Sequence, residues 1–511
     1  MNDSIIVVLP LAIVLATALV VLFVDAFAAK QPLVPAWVAA TGLVVAAAVA
    51  VAQWTTWRGG GAFWRVFTGG LVMNARRGQY GFSGMVRLDQ YGLFFTVLFC
   101  AVGVLTIMLS DDYLAQHHIK PGEFYALLLL ILAGTIGMAV STDLIALLVS
   151  FELMSLPSYV LAGVLRSDRR SGEAAIKYFI NGAFSSAVLA FGLALVYGVT
   201  GQTGYGPIRD VLAHTDPRNA MLLVALVLVS TGFGFKVAAV PFHGWAPDVY
   251  EGAPTPVTAF MSVGIKAGAF AGFLRLVGPA LLPAAQGWSD VLIVLAVATM
   301  IVGNVLALPQ RNLKRMLAYS SIAHAGYLLL GLIAVGRSGD PAGASAILFY
   351  LAAYTFMNLG AFGVLVLIRN RRPFAYTLDE LAGLGRTMPL TALAMLVFML
   401  SLTGIPPLAG FWGKFFIFTA VVAAHMTWLA VVAVIMSAVS AFYYLRVVWY
   451  LYFREAEEPV AAAPEPPELL GVRAGITATT AVAVLGVLAV GIYPAPVIAA
   501  AQGAVRLFLG A

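Results

Sequence analysis

Three lysines, one glutamate and one histidine stand inside stretches that are otherwise apolar. They are Glu152 in VSFELMSLPSYVL, Lys236 in GFGFKVAAVP, Lys266 in SVGIKAGAF, His324 in SSIAHAGYLLLG and Lys414 in LAGFWGKFFIF. An ionised side chain at bilayer depth is expensive, so each marks a candidate ion pathway. The chemistry these groups share is the gain and loss of a proton. Histidine changes charge near neutral pH. A free lysine titrates near ~10.4, so bringing one to neutrality takes roughly three pH units, or about 4 to 5 kcal/mol of differential interaction. A carboxylate that moves toward or away from a buried amine can supply much of that. A Glu152–Lys236 pair is expected, because a lone carboxylate in the middle of a span would be neutralised rather than left charged. Closing the pair would hold the lysine's proton and opening it would release the proton. The bland alternatives are a protonated Glu152 bonded to Ser155 or backbone, and lysines that snorkel to the headgroups.

Three further residues are secondary candidates. Lys177, in EAAIKYF, starts a helix and faces either the bundle or the headgroups. His243 follows Pro241 and either relays protons toward the cytoplasm or caps freed carbonyls. Tyr444 either bridges waters or packs as an aromatic. His425 and the pair His117–His118 lie near helix ends and read as solvated. The single cysteine, Cys100, lies in an apolar run, so a disulfide framework and a cysteine metal site are both excluded. The sequence has no dinucleotide fingerprint closing a strand. It also lacks the Cys or His spacing for iron–sulfur or haem ligation.

The elements that must hold these groups are membrane helices. The 511 residues are 61% hydrophobic and 10% charged, against about 25% charged in a soluble protein. The fold class expected is an all-α polytopic membrane protein. At about 20 apolar residues per span, fourteen helices are predicted, near 4–25, 33–52, 90–110, 123–140, 143–165, 174–199, 219–247, 255–281, 289–308, 314–335, 342–368, 388–424, 426–452 and 474–493. Ala26–Phe27–Ala28 loosely resembles a cleavage site. The start lacks a basic region and the run before that site is long enough to span, so a retained first helix is expected. The tail from Pro494 to Ala511 is expected along the surface or on a neighbour. The seventh and twelfth helices are interrupted, by Gly232, Gly234 and Pro241 and by Pro406, Pro407, Gly410 and Gly413. Helix breaks at bilayer depth are tolerated only where they line a protein cavity.

Basic residues fall on alternate sides. Arg166, Arg169 and Arg170 share a side with Arg311, Lys314 and Arg315, and with Arg369, Arg371 and Arg372. The positive-inside bias makes that side cytoplasmic and puts both termini outside. The loop from Gln53 to Asp89 dissents, since it holds Arg58, Arg65, Arg76, Arg77 and Arg87, but long loops obey the bias less strictly. The net charge of +6 sits mostly in loops and suggests no nucleic acid. Glu152 precedes Lys236 by 84 residues and His324 precedes Lys414 by 90. Lys266 follows Lys236 by 30, as Tyr444 follows Lys414. This predicts a five-helix unit used twice, and because five is odd the second copy is expected to be inverted, as in many transporters. The expected divisions are a three-helix segment 1–122 with a long extracytoplasmic loop, repeats 123–285 and 286–453, and 454–511 with an acidic Pro-rich linker, the last helix and the tail.

FELMSLPSYVLAG, KVAAVPFHGWAPDVYEGAPTPVTAF, LPQRNLKRMLAYSSIAHAGY and TGIPPLAGFWGKFFIF resemble the antiporter-like membrane subunits of bacterial NADH–quinone oxidoreductase, respiratory complex I, over roughly residues 90–450. The resemblance implies fourteen helices, two inverted five-helix repeats and a central polar axis. It maps Glu152 and Lys236 onto the charge pair, Lys266 and His324 onto the central relay and Lys414 onto the distal lysine. Lysine at 414 argues against subunit M, which usually carries glutamate there. The short tail argues against subunit L, which usually extends into a long lateral helix. The implied function is proton translocation in the bacterial inner membrane, driven by quinone reduction elsewhere. NADH, FMN, iron–sulfur clusters and quinone then belong to partner subunits, and this chain binds none of them. Implied partners are the lipid bilayer and other membrane-arm subunits, such as antiporter-like M and the small K and J. A cation/proton antiporter subunit of the Mrp kind, without a redox partner, is the competing reading, and a structural spacer is a third.

Overall fold

The structure, a computed structural model, describes residues 3–27, 33–57, 78–371, 376–455 and 473–506. Much of the expected 53–89 loop, with Arg58, Arg65, Arg76 and Arg77, lies outside the described residues, as do Arg372, the linker from 456 to 472 and residues 507–511.

In chain order the apolar helices begin with α1 (Leu9–Phe27), α2 (Leu33–Trp57), α3 (Gln90–Gln116), α4 (Pro121–Val140), α5 (Leu144–Ala162) and α6 (Arg169–Thr200). There follow α7 (Ala220–Val237), α8 (Thr255–Val277), α9 (Leu282–Ala307), α10 (Leu313–Ser338) and α11 (Ala342–Arg371). The shorter α12 (Pro389–Thr403) and α13 (Ala409–Ala423) lead into α14 (Thr427–Tyr452), α15 (Arg473–Ile492) and α16 (Ala495–Val505). Thirteen described helices are long and apolar enough to cross a membrane. The twelfth expected span is α12 plus α13, parted by residues 404–408. The seventh is α7, a turn at 238–244 and a short helix, Trp245–Gly252. The chain is therefore a multi-pass helical membrane protein, and both expected interruptions are present.

Side chains at fixed positions set the helix ends. Asp89, Asp143, Asp168, Asn219 and Asn312 cap α3, α5, α6, α7 and α10 by accepting from the N–H groups that a helix start leaves unpaired. Gly404 closes α12 with a left-handed backbone, φ 95°. Ala238 closes α7 in the same region at φ 61°, where a β-carbon costs about 1–2 kcal/mol. That strained residue stands two positions beyond Lys236.

Depth in the bundle ranks the helices. Every residue of α8 is buried, and α10 and α11 are nearly so, whereas α1, α2, α6 and α14 bury a third or less of their span. The central trio carries Lys266 and His324. Two expectations need correction. Part of the long loop is an antiparallel hairpin, Gln79–Gly81 with Val86–Leu88, turned through Ser83 and Gly84 at positive φ and pinned by a hydrogen bond from Thr142 Oγ1 to the Gly84 carbonyl. The tail helix α16 packs on α3 and α11 of this same chain. Its small residues Ala501, Gly503 and Ala504 are buried and allow the close approach.

The break between α12 and α13 is packed without slack. A β-carbon on Gly410 would lie 1.8 Å from the Ser401 carbonyl oxygen. Gly410→Ala is expected to lower the stability of the detergent-solubilised protein by about 1–3 kcal/mol, the usual cost of overpacking. A thermal midpoint equal to that of the unaltered protein would contradict this packing.

Candidate functional site

Lys236 lies in the last turn of α7 and is 2% exposed. Its Nζ stands 4.9 Å from the ring centre of Tyr159, 5.0 Å from Tyr178 and 5.7 Å from Phe151, and no hydrogen bond reaches it. Ring faces offer a cation about 0.5–2 kcal/mol each, against a desolvation penalty of several kcal/mol. Three rings together reach that penalty only at the top of their range, so the cage holds an ammonium weakly. The hydroxyls of Ser155, Tyr159 and Ser186 are also buried without protein partners, and that of Tyr159 lies beside both serines. Clustered unpaired polar atoms of this kind are where buried water binds.

Glu152 corrects the expectation of a closed pair. It is half-buried, on the side of α5 that exposes Val149 and Leu156. Its carboxylate is near enough for its charge to act on Lys236, yet no ion-pair contact joins them. The reason is helical geometry. Phe151 points inward to the lysine, and the next residue is turned by about 100°, which brings Glu152 toward the rim.

Lys266 follows a π-helical turn, Met261–Ile265, within α8. Such turns are often found at functional sites. Its Nζ donates to the Ser321 carbonyl and, at 2.5 Å, to the Ser321 hydroxyl. Ser321 and His324 are three apart on α10 and share a face. His324 Nδ1 stands 2.5 Å from Tyr350 Oη, and Nε2 3.0 Å from Tyr444 Oη, which also bonds Ser320. A neutral imidazole between two hydroxyls donates on one side and accepts on the other, whereas an imidazolium donates on both.

Lys414 is 5% exposed and donates at 2.8 Å both to the Thr403 carbonyl and to the Ser437 hydroxyl. Thr403 ends α12, so the lysine pairs with a carbonyl that the break has freed. Tyr327 connects the groups, its ring 5.4 Å from Lys414 Nζ and edge-on to His324 at 5.8 Å. Lys414 and Lys266 are the charged groups whose fields reach His324. Ser437, Ser440 and Tyr444 recur on one face of α14 and form a hydroxyl stripe from Lys414 toward His324. The fold thus gathers Lys266, His324 and Lys414, while Lys236 with Glu152 forms a separate group.

The secondary candidates divide. Tyr444 bonds His324 directly, so it does more than pack, although its ring also lies 4.4 Å from that of Tyr443. Lys177 is at the rim, its Nζ 2.7 Å from both Glu173 and Asp248. Arg315 meets the same Asp248 at 2.8 Å and Glu251 at 2.9 Å. Burial alone would push the Asp248 carboxyl up, but hydrogen bonds from Lys177 and Arg315 hold it below the ordinary carboxylate range. His243 is half-buried beyond the break, and its Nδ1 lacks a hydrogen bond. A cleft of about 480 Å³ beside that break is lined by Lys177, Ser185, Phe235, Phe242, Trp245 and Asp248, among others.

Sequence reasoning missed two buried cations. Lys314, expected in a basic loop, is 2% exposed and donates to the Ala253 carbonyl at 2.6 Å. Its neighbours Arg311 and Arg315 disguised it. The capping Asn312 was the available signal, because it starts the helix there and places Lys314 on the same face as Ser321, seven residues on. Arg275, fully buried on α8, pairs with Asp89 at 2.5 Å.

Comparison with known proteins fits this architecture. The family described as NADH:quinone oxidoreductase/Mrp antiporter, TM, matches residues 141–440. NADH-quinone oxidoreductase subunit N of Trichlorobacter lovleyi is 43% identical over 503 residues, 98% of this chain and 97% of the relative. A chain of respiratory complex I from Thermus thermophilus, solved with bound aureothin, is 34% identical with a TM-score of 0.76, covering 97% of this chain and all of that one. A chain of the Mrp complex from a Dietzia species has a TM-score of 0.81 at 23% identity, covering 99% and 98%, a likeness of fold alone. With the family model spanning more than half of its length and a relative matching nearly all of it, the chain belongs to the NADH:quinone oxidoreductase/Mrp antiporter family of membrane subunits.

Proposed function

We propose that this chain is the N-type proton-translocating membrane-arm subunit of an NADH–quinone oxidoreductase, with Glu152, Lys236, Lys266, His324 and Lys414 as its proton carriers. The observation that carries this reading is the buried run Lys266–Ser321, His324–Tyr444 and Ser437–Lys414, in which titratable side chains are linked by hydroxyls at the centre of an apolar bundle. A proton arriving on one nitrogen of His324 allows release from the other, so the ring can pass charge between the tyrosines on either side. Waters complete the remaining gaps, above all around the unpaired hydroxyls beside Lys236. Glu152 and Lys236 form the switch. Movement of the carboxylate toward the amine holds a proton, and its withdrawal frees one. The outward placement of Glu152 supports a partner subunit docking on that face and setting the distance.

The redox chemistry, with NADH, FMN, iron–sulfur clusters and quinone, is assigned to partner subunits, and the neighbours on the membrane arm to the antiporter-like M and small subunits such as K and J. The likeness between the surroundings of Lys236 and Lys414, each at a helix break, supports two related five-helix units, 123–285 and 286–453, the second inverted. Arg170, Lys314 and Arg369, at the ends of three separate helices, line one cavity. Their convergence supports a single basic, cytoplasmic end in the inner membrane, with both termini on the other side.

Extraction in mild detergent tests the assignment. The chain is expected to co-isolate with flavin and iron–sulfur absorbance and with NADH-driven quinone reduction. Isolation free of both, with cation/proton exchange retained on reconstitution, would overturn it in favour of the Mrp-like antiporter.

A further inference from the structure

We infer that Lys314 is a proton entry from the basic end of the bundle to Lys266 and His324, separate from the route through Lys236. The inference rests on the proton-transfer reading above and adds a residue and a path to it. Lys314 is buried in the first turn of α10, and its Nζ is held by the Ala253 carbonyl and lies 5.2 Å from the Tyr376 ring. It lines a cavity of about 210 Å³ into which Asp168, Glu251, Arg170 and Arg369 also reach. That space has room for several waters, and its walls supply polar partners for them.

The inner side of Lys314 leads to the central groups. Lys314 and Ser321 share a face of α10 two turns apart, about 10.5 Å along the axis. Ala318 between them is small. Thr258 and Tyr250 flank the interval. The Thr258 hydroxyl donates to the Tyr250 carbonyl at 3.0 Å, and the Tyr250 hydroxyl lies beside that of Ser321, which bonds Lys266. In each passage a cavity water gives one proton to the Lys314 amine. One O–H bond breaks as one N–H bond forms. The ammonium then returns that proton, through water and the Tyr250 and Ser321 hydroxyls, to the Lys266 amine or the His324 ring. Lys314 ends as it began, and the hydroxide left in the cavity regains a proton from surface water, relayed by the carboxylate of Asp168 or Glu251, which takes one proton from outside and gives one inside.

A lysine that only ties Ala253 to α10 would behave differently. Arginine keeps the charge and the donor but does not give up its proton. Histidine keeps a titratable nitrogen on a shorter arm. The experiment compares Lys314→Arg, Lys314→His and Lys314→Ala in the complete membrane-bound complex, with Lys236→Met as reference. Assembly is followed by native electrophoresis, and proton translocation is measured together with NADH-driven quinone reduction. Lys314→Arg is expected to assemble and to lose about ten-fold or more of proton-coupled turnover, less than the roughly hundred-fold or more of a positioned proton carrier, because the route through Lys236 remains. Lys314→His should recover several-fold over it. Normal coupling in Lys314→Arg overturns the entry. If Lys236→Met is then defective, only the entry fails, and if it too is normal, the proton-transfer reading fails with it. Should no Lys314 variant assemble, Ala318→Leu is read instead, because it fills the interval while the Lys314 amine stays in the chain. Slowed translocation then supports the route, and unchanged translocation overturns it.

Discussion

Lys236→Met is expected to abolish proton translocation coupled to quinone reduction while the complex still assembles. Methionine keeps most of the stem that fills the cage of Phe151, Tyr159 and Tyr178, so packing changes little. What disappears is the amine, the base that would hold a proton between Glu152 and the interior. The effect follows from the energetics of the cage. The rings hold an ammonium weakly, and no protein acceptor shares its hydrogens. Its charge state is therefore unusually sensitive to the position of Glu152. Removing such a carrier should slow coupled turnover roughly a hundred-fold. Glu152→Gln should show the same defect less completely, because water can still reach the amine. Both variants are to be measured in the assembled complex, as protons moved and quinone reduced over time. Unchanged rates of both in Lys236→Met would remove Lys236 from the mechanism.

Depth was readable in the sequence and facing was not. Lys236, Lys266 and Lys414 stand in long apolar runs next to prolines and glycines, and nothing but a membrane interior with broken helices accommodates that pattern. The thirteen described helices long enough to cross followed from the same signal. The direction in which Glu152 points did not, because α5 is apolar on every side and its sequence has no polar face to fix its rotation. The same uniformity left Tyr444 undecided between packing and relay. Its partner His324 is 120 residues away, and only the packing of α10 against α14 decides the matter. Tyr350 and Tyr327 escaped notice altogether, since a tyrosine in an apolar helix is ordinary until its hydroxyl or ring is seen against a titratable group. Lys314 was lost for the opposite reason, being camouflaged by the exposed Arg311 and the half-buried Arg315 close by. The inverted relation of the two five-helix units stays a proposal, as the spacings of 84 and 90 residues suggest kinship and carry no orientation.

Tyr444→Phe separates relay from packing at the centre of the chain. The substitution deletes one oxygen and leaves the ring against Tyr443, so the fold should persist. It removes the 3.0 Å link to His324 Nε2 and the bond to Ser320 together. If Tyr444 only packs, coupled proton translocation will be unaltered. If it passes protons, translocation should fall about ten-fold, less than for a missing carrier, because a water can occupy the space of the lost hydroxyl. His324→Leu should be the more severe change. It deletes both ring nitrogens and leaves the Tyr350 and Tyr444 hydroxyls facing a hydrocarbon, so no water chain replaces the bridge and the loss should approach a hundred-fold. The order of the two defects carries the argument. A His324→Leu enzyme that translocates as well as Tyr444→Phe would mean that protons reach Lys414 without crossing the imidazole, and the hydroxyl stripe of Ser437 and Ser440 would then have to be supplied from elsewhere.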